Sequence, residues 1–576
     1  MKRVQELVDT ALGRSDADLV LKNARVFNVF TGRFTTGDVA IVNGYIAGVG
    51  SYSGRKEIDG TGKFITPGFI DGHVHLESAM VSPAQFACAV VPSGTTTVIA
   101  DPHEIANVAG LEGIRYMLKA TEQLPLNVYM MLPSCVPATR LEHAGATLKA
   151  KELADFIHHP RILGLGEMMD YPGVLQKEAA IYEKIRLAEG KLVDGHAPGL
   201  TGRELTGYIA AGIRSDHECV TPEEATERLE QGMYVMLREG SAAHNLVKLL
   251  PAVNQYTVKR CLFATDDRHP ADLIAEGHIN HMVRLAIAAG ADPAWVLQMA
   301  TINVASYFRL DDLGAIAPGY RADLLVFDNL EEWRPVMVFK DGQLAAENGK
   351  SMFMNFFVDD KWVRNTLCLG ELSRDKLRLP AHSSVARVIG LVPHQLVTEA
   401  LELPVPVVRG EFVPDVSRDI LKLVVWERHK GTGNVGVGLL QGLGLKRGAI
   451  ASTIAHDSHN LVVVGTDDDA IMLAVKEIEH IQGGLVIAGD REILGTLPLP
   501  LTGLMTDRDI GEVQEKLAAL HKIARSLGVK ADYDPFMTLA FLSLPVIPAL
   551  KLTDAGLIDV VNFQLMPVSV LSENIV

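Results

Sequence analysis

Two histidines one residue apart, His73 and His75, end the run Pro67-Gly68-Phe69-Ile70-Asp71-Gly72. In an extended strand residues i and i+2 share a face, so both imidazoles can reach one cation. Other groups that bind metals or carry protons follow later apolar runs. Asp101 and His103 come after residues 95–100, Ser134 after 127–133 and Glu167 after 161–166. His196 follows 191–195 and His217 follows 212–216. Arg238 and Glu239 close 233–237, and Asp266 and Asp267 close 260–265.

Four imidazoles with carboxylates exceed the needs of one tetrahedral metal. Two divalent ions about 3.5–4 Å apart, bridged by a carboxylate, use the set better. The expected ligands are therefore His73, His75, Glu167, His196, His217 and Asp266. Glu167 is the expected bridge, because a carboxylate in so apolar a segment needs cations to stay ionised. Asp266 is expected to double as the proton carrier for an activated water. Its neighbour Asp267 would cap the next helix or pair with Arg268. His103 joins Asp266 and Glu167 as a catalytic candidate. Asp101, Arg238, Glu239 and Ser241 are the candidates for substrate binding, the last three suited to hydrogen-bonding a planar heterocycle.

Such residues need a scaffold that gathers strand ends. The block 66–310 alternates eight apolar runs, the first at 68–74, with helical patterns, which is the size and order of a (β/α)8 barrel. In that fold the C-terminal strand ends converge on one face, where active sites are built. Residues 1–65 and 311–355 are β-rich and are read as the two parts of a small β-sandwich, with the barrel inserted between them. Residues 356–576 form a C-terminal α+β domain with amphipathic helices near 468–481 and 510–526. Its glycines between Gly431 and Gly444 match no phosphate-loop pattern and are read as turns and close packing. His143, His158 and His159 follow no strand and are assigned to surface or loops. Ala455-His456-Asp457-Ser458-His459-Asn460 is composed like a metal site, and is expected either to stand alone or to sit at the barrel mouth.

The chain has 576 residues, 48% of them apolar and 22% charged, which excludes a disordered or fibrous protein. A net charge of −16 argues against nucleic acid as partner, though not against an uncharged nucleobase. Five dispersed cysteines without a CxxC pair read as small buried hydrophobes in a reducing compartment. The charged start Met1-Lys2-Arg3 lacks the apolar core of a signal peptide, and no apolar run is long enough to span a membrane. The expectation is a cytoplasmic enzyme, forming a homodimer or larger homo-oligomer.

The segment 67–75 with its β-rich flanks resembles the amidohydrolase superfamily, and more closely the bacterial adenine deaminases. The resemblance is carried by His75-Leu76-Glu77-Ser78-Ala79-Met80, by Asp101-Pro102-His103-Glu104-Ile105-Ala106-Asn107-Val108 and by Gly166-Glu167-Met168-Met169-Asp170-Tyr171-Pro172-Gly173-Val174. It extends through Asp194-Gly195-His196-Ala197-Pro198-Gly199, His217-Glu218, Arg238-Glu239-Gly240-Ser241, Thr265-Asp266-Asp267-Arg268 and the segment around His456, and so covers nearly the whole chain. It implies hydrolysis of adenine to hypoxanthine and ammonia, with a metal-bridged hydroxide attacking C6 of the purine. It also implies two divalent ions, Mn²⁺ or Fe²⁺ by preference, with Zn²⁺ equally compatible with such ligands. Many superfamily members carry a carboxylated lysine where this chain has Glu167, as the deaminase family would. Ala79 and Ala197 depart from the pattern beside ligands, not on them. The rival readings are a cyclic-amide hydrolase acting on a dihydropyrimidine or hydantoin ring, and a non-enzymatic barrel scaffold.

Overall fold

The computed structural model describes residues 2–353, 358–393 and 395–570. Its centre is a TIM-like set of parallel strands. Six pair in one sheet, in the order Leu192–Gly195, Ile162–Met168, Asn127–Leu132, Thr95–Ala100, Phe69–His75 and Asp266–Asp267. Three more, Ser215–Asp216, Tyr234–Arg238 and Cys261–Ala264, form a second parallel sheet. The sheets meet at two seams. At one, the Arg214 N–H donates to the Val193 carbonyl at 3.0 Å. At the other, Asp71 accepts from the Thr265 amide at 3.1 Å and also bonds the Thr265 hydroxyl.

These strands are apolar almost throughout because helices and side chains cover both faces. Phe69–His75 and Thr95–Ala100 are buried at every residue. The strand expected at 212–216 contracts to Ser215–Asp216. Gly212, at φ +106°, belongs to the turn that ends helix Gly202–Ala210, a conformation glycine adopts without steric cost.

The β-rich flanks hydrogen-bond into a single nine-stranded sheet that takes strands from residues 17–67 and 324–351. Strand Leu324–Phe327 pairs antiparallel with Phe64–Pro67, which joins the segments before and after the parallel strands. The C-terminal region holds an eight-stranded sheet whose edge strands are Thr398–Pro404 and Ile493–Pro498, with helices Asp468–His480 and Ile510–Ser526. Its glycines do serve turns and close approach. A Cβ on Gly436, in strand Val435–Gln441, would lie 1.9 Å from the Thr553 carbonyl oxygen.

The C-terminal region rests on the loops that leave the parallel strands. The Ser82 amide donates to the Thr506 carbonyl at 2.7 Å, the Thr506 amide donates to the Met80 carbonyl at 3.0 Å, and the Thr553 hydroxyl donates to the Leu141 carbonyl at 2.7 Å. His143 lies in a half-exposed loop yet meets Asp554 across this interface at 2.6 Å. His158 is exposed and His159 half-buried. Three of the five cysteines are buried, but Cys88 is only partly so and Cys368 is exposed, which corrects the uniform buried reading.

Candidate metal centre

The strand Phe69–His75 turns Asp71, His73 and His75 to one side, as a period of two requires. Asp71 anchors the backbone by accepting from the His73 amide at 3.1 Å, and meets His278 at 3.1 Å. The two imidazoles approach to 3.2 Å through their Nε2 atoms. His75 is oriented by a backbone contact: its Nδ1–H donates to the Asp101 carbonyl at 3.0 Å. That bond leaves the Nε2 lone pair facing inward, the arrangement a metal ligand needs.

Glu167, 3% exposed near the end of Ile162–Met168, lies at the middle of the cluster. Its Oε1 is 3.3 Å from His75 Nε2 and 3.7 Å from His73 Nε2. Its Oε2 is 2.8 Å from His196 Nδ1 and 3.3 Å from His217 Nε2. One carboxylate thus faces imidazoles on both oxygens, His73 and His75 at Oε1 and His196 and His217 at Oε2. Asp266 closes the far side, with Oδ1 3.1 Å from His75 Nε2. Its backbone takes φ +62°, which aspartate tolerates better than most residues and which turns the chain sharply as it leaves the strand. The donor atoms of His73, His75 and Asp266 lie within one metal's reach, as do those of His73, Glu167 and His217.

Burial by itself would raise the Glu167 carboxyl, but its imidazole neighbours, His196 first, hold it well below the usual range. Asp266 is likewise held low, against burial, chiefly by Arg238 and then His75. His196 is pushed the other way: Glu218 and Glu167 overcome burial and raise it to about 9. His73 is lowered by burial and by His217, whose ring stacks on it at 4.4 Å. The inward-facing lone pair of His75, two ionised carboxylates and donor atoms grouped within one another's reach fit divalent cations.

His103 enters the same cluster, with Nδ1 3.3 Å from Glu167 Oε1 and 3.5 Å from Asp101 Oδ1. This Nδ1 is buried and has no hydrogen-bond partner among the described residues. Its donor set with His75 and Glu167 also suits a cation. Asp101 is held inside the protein, its Oδ2 accepting from the Glu167 amide at 3.1 Å. Arg238 bonds Glu218 and reaches Asp266 Oδ2 at 2.6 Å. Glu239 accepts from His244 Nδ1 at 2.7 Å and from the Leu246 amide at 3.3 Å. The Ser241 hydroxyl accepts from the His269 amide at 2.8 Å and bonds Asp272. Asp267 neither caps the following helix, where His269 stands, nor pairs with Arg268: it accepts from Ser78, and Arg268 goes to Glu276 at 2.9 Å.

Several residues of the centre were not singled out by strand-end reasoning. Glu218 lies 3.4 Å from His217 and 3.6 Å from His196. Asp216 accepts from the Ala197 and Glu218 amides and bonds Arg228, which sets the two loops carrying His196 and His217. Arg228 projects from helix Pro222–Glu230, whose start is capped reciprocally by Thr221 and Glu224. The acid next to a histidine in His217-Glu218 and in His103-Glu104 is the signal that was available. The segment at His456 does not stand alone: His456 Nδ1 is 2.6 Å from Glu104 Oε1, and His459 Nε2 bonds the other oxygen.

Residues 64–372 match the amidohydrolase family, and residues 395–564 match the adenine deaminase C-terminal domain. The chain is 64% identical to adenine deaminase 2 of Carboxydothermus hydrogenoformans, over 99% of this chain and 100% of that protein. It is 49% identical to an adenine deaminase of Nitratidesulfovibrio vulgaris, over 98% and 99%, and 48% identical to one of Geobacillus kaustophilus, over 97% and 98%. Among solved structures, a beta-aspartyl dipeptidase of Fervidobacterium islandicum AW-1 covers 60% of this chain and 100% of its own, at 18% identity and a TM-score of 0.45. With relatives this similar over its full length, the chain belongs to the adenine deaminase family of amidohydrolases.

Proposed function

We propose that this protein hydrolyses adenine to hypoxanthine and ammonia, using two divalent ions, Mn²⁺ or Fe²⁺ by preference, held by His73, His75, Glu167, His196, His217 and Asp266. The observation that carries the proposal is the central carboxylate of Glu167, with His73, His75 and His103 at one oxygen, His196 and His217 at the other, and Asp266 opposite. When bound, the ions would lower the pKa of a water towards neutrality and stabilise charge developing on the purine. The protein's own part is to hold and move protons. Asp266, kept ionised by Arg238, accepts the proton of the attacking water and returns it as the exocyclic amine departs from C6. His103, with its unpartnered Nδ1 at the centre, is the second group that can carry a proton or orient the base.

The substrate would enter through the cavity lined by Asp267, the residue that follows Asp266. Met80, Phe536 and Phe541 supply apolar walls for a planar ring, while Ser78, Asp267 and His456 line the polar side. Asp101, Glu239 and Ser241 then act on the substrate through the backbone and loops they brace. Among the described residues no helix is long and apolar enough to cross a membrane. All five cysteines are free thiols, which accords with a cytoplasmic setting.

The test is ammonia release from adenine by metal-depleted protein, before and after two equivalents of Mn²⁺, with adenosine and dihydroorotate in parallel. Turnover of adenine alone, restored by metal, is the expected result. Opening of dihydroorotate without adenine turnover would replace the proposal with a cyclic-amide hydrolase.

A further inference from the structure

Glu104 is a buried carboxylate in the first turn of helix His103–Ala120, just outside the metal centre. Three imidazoles surround it. His103 Nε2 is 3.5 Å away, His456 Nδ1 is 2.6 Å away, and His459 Nε2 bonds the remaining oxygen. The composition suggests another metal site, but the backbone argues otherwise. The Ala455 N–H donates to His459 Nδ1 at 3.1 Å, so Nδ1 is the acceptor and Nε2 carries the hydrogen. A protonated Nε2 has no lone pair for a cation. His459 is a hydrogen-bond donor to Glu104. Burial lowers its pKa to about 4 in spite of that carboxylate, so the ring is neutral and the tautomer is defined. His456 is held in place by stacking on Phe541, with centroids 4.6 Å apart and planes 20° apart.

We infer that His456 and His459 of the C-terminal region are positioning residues for the metal centre: their two N–H groups hold Glu104, and Glu104 orients His103. The Glu104 charge, 3.5 Å from His103 Nε2, favours a hydrogen on that nitrogen, which would leave the Nδ1 lone pair facing Glu167 and the ions. The chain therefore completes its centre with groups 352 and 355 positions away from Glu104. This inference rests on the proposed deaminase reading for its kinetic consequence, though its geometry does not.

The decisive comparison is between amides that imitate different ring nitrogens. A glutamine amide nitrogen falls near the position of imidazole Nε2, an asparagine amide nitrogen near Nδ1. For Mn²⁺-loaded protein, His459→Ala should lower kcat on adenine by about 10–100-fold, the range for residues that orient ligands, with two ions per chain retained and KM little changed. His459→Gln should recover most of that loss and His459→Asn should not. At position 456 the order should reverse, Asn recovering more than Gln. Wild-type kcat in His459→Ala, or equal loss in the Gln and Asn variants, would overturn the inference. A second readout is independent of turnover: ¹⁵N shifts of histidine-labelled, Zn²⁺-loaded protein, with the His459 signal assigned by its absence in His459→Gln. An Nε2–H tautomer is expected, and an Nδ1–H tautomer would overturn the inference. Absence of adenine turnover in the wild type would refute the proposed activity, and the tautomer would still decide the positioning.

Discussion

Among the described residues a carboxylate ringed by imidazoles occurs at Glu167 and at Glu104, and the two rings turn different ring atoms inward. Around Glu167 the backbone consumes the outer nitrogen of His75 as a donor, to the Asp101 carbonyl, and so turns a lone pair inward. Around Glu104 the backbone donates to the outer nitrogen of His459, and so turns an N–H inward. One backbone group, a carbonyl in the first case and an amide in the second, separates an inward lone pair from an inward N–H. Residue type alone does not distinguish a metal site from a hydrogen-bonded brace.

The largest effect that should sharpen this contrast is the paired substitution of the two central carboxylates. Glu167→Gln should reduce bound metal below two ions per chain and cut turnover by about 10⁴-fold, whereas Glu104→Gln should keep both ions and lose about 10–100-fold. Metal analysis beside kinetics on the same preparations checks both, and equal metal loss would erase the distinction. Within the inner ring, Asp266→Asn should keep its metal and lose about 10²–10⁴-fold in kcat, the usual worth of a positioned acid or base. Near-normal turnover would remove Asp266 from the proton path.

The Arg228–Asp216 pair, fully buried, braces the loops that carry His196 and His217. Arg228→Met leaves an unpaired buried carboxylate and should cost about 3–5 kcal/mol in stability, read by denaturant unfolding. A loss under ~1 kcal/mol would mean that the inner ring is not supported from there.

The smallest effect tests the outer ring through pH. Lys551 donates to the Phe541 and Leu396 carbonyls at 2.9 Å, fixing the segment on which His456 stacks. Burial pushes its pKa from the ordinary 10.5 down to about 7. Between those values the unfolded chain binds a proton that the folded protein does not, so stability rises with pH across the window. From pH 7 to 9 the gain should approach ~2–3 kcal/mol relative to Lys551→Met, which lacks the titration. Parallel stability curves for the two proteins would contradict the buried, neutral lysine.

Much of the inner centre was legible in the chain, because strands impose a period of two and a parallel α/β fold delivers the ends of successive strands to one face. His73, His75, Glu167, His196, His217 and Asp266 could be chosen on that rule, and the structure gathers the other five about Glu167, Asp266 through His75. The helices at Asp468–His480 and Ile510–Ser526 were legible from their apolar spacing. Other features depended on packing between residues remote in sequence. Nothing local tells Asp101 to brace the Glu167 amide, or tells Arg238 to face Glu218 and Asp266. Nor does the composition of His456–Asn460 disclose that it meets Glu104. Sequence determined which groups could bind metal and which strands present them, since both follow from chemistry and local periodicity. Only the tertiary structure decided which nitrogen of His75 and of His459 points inward, because that is set by the backbone carbonyl or amide the fold brings to the other side of each ring.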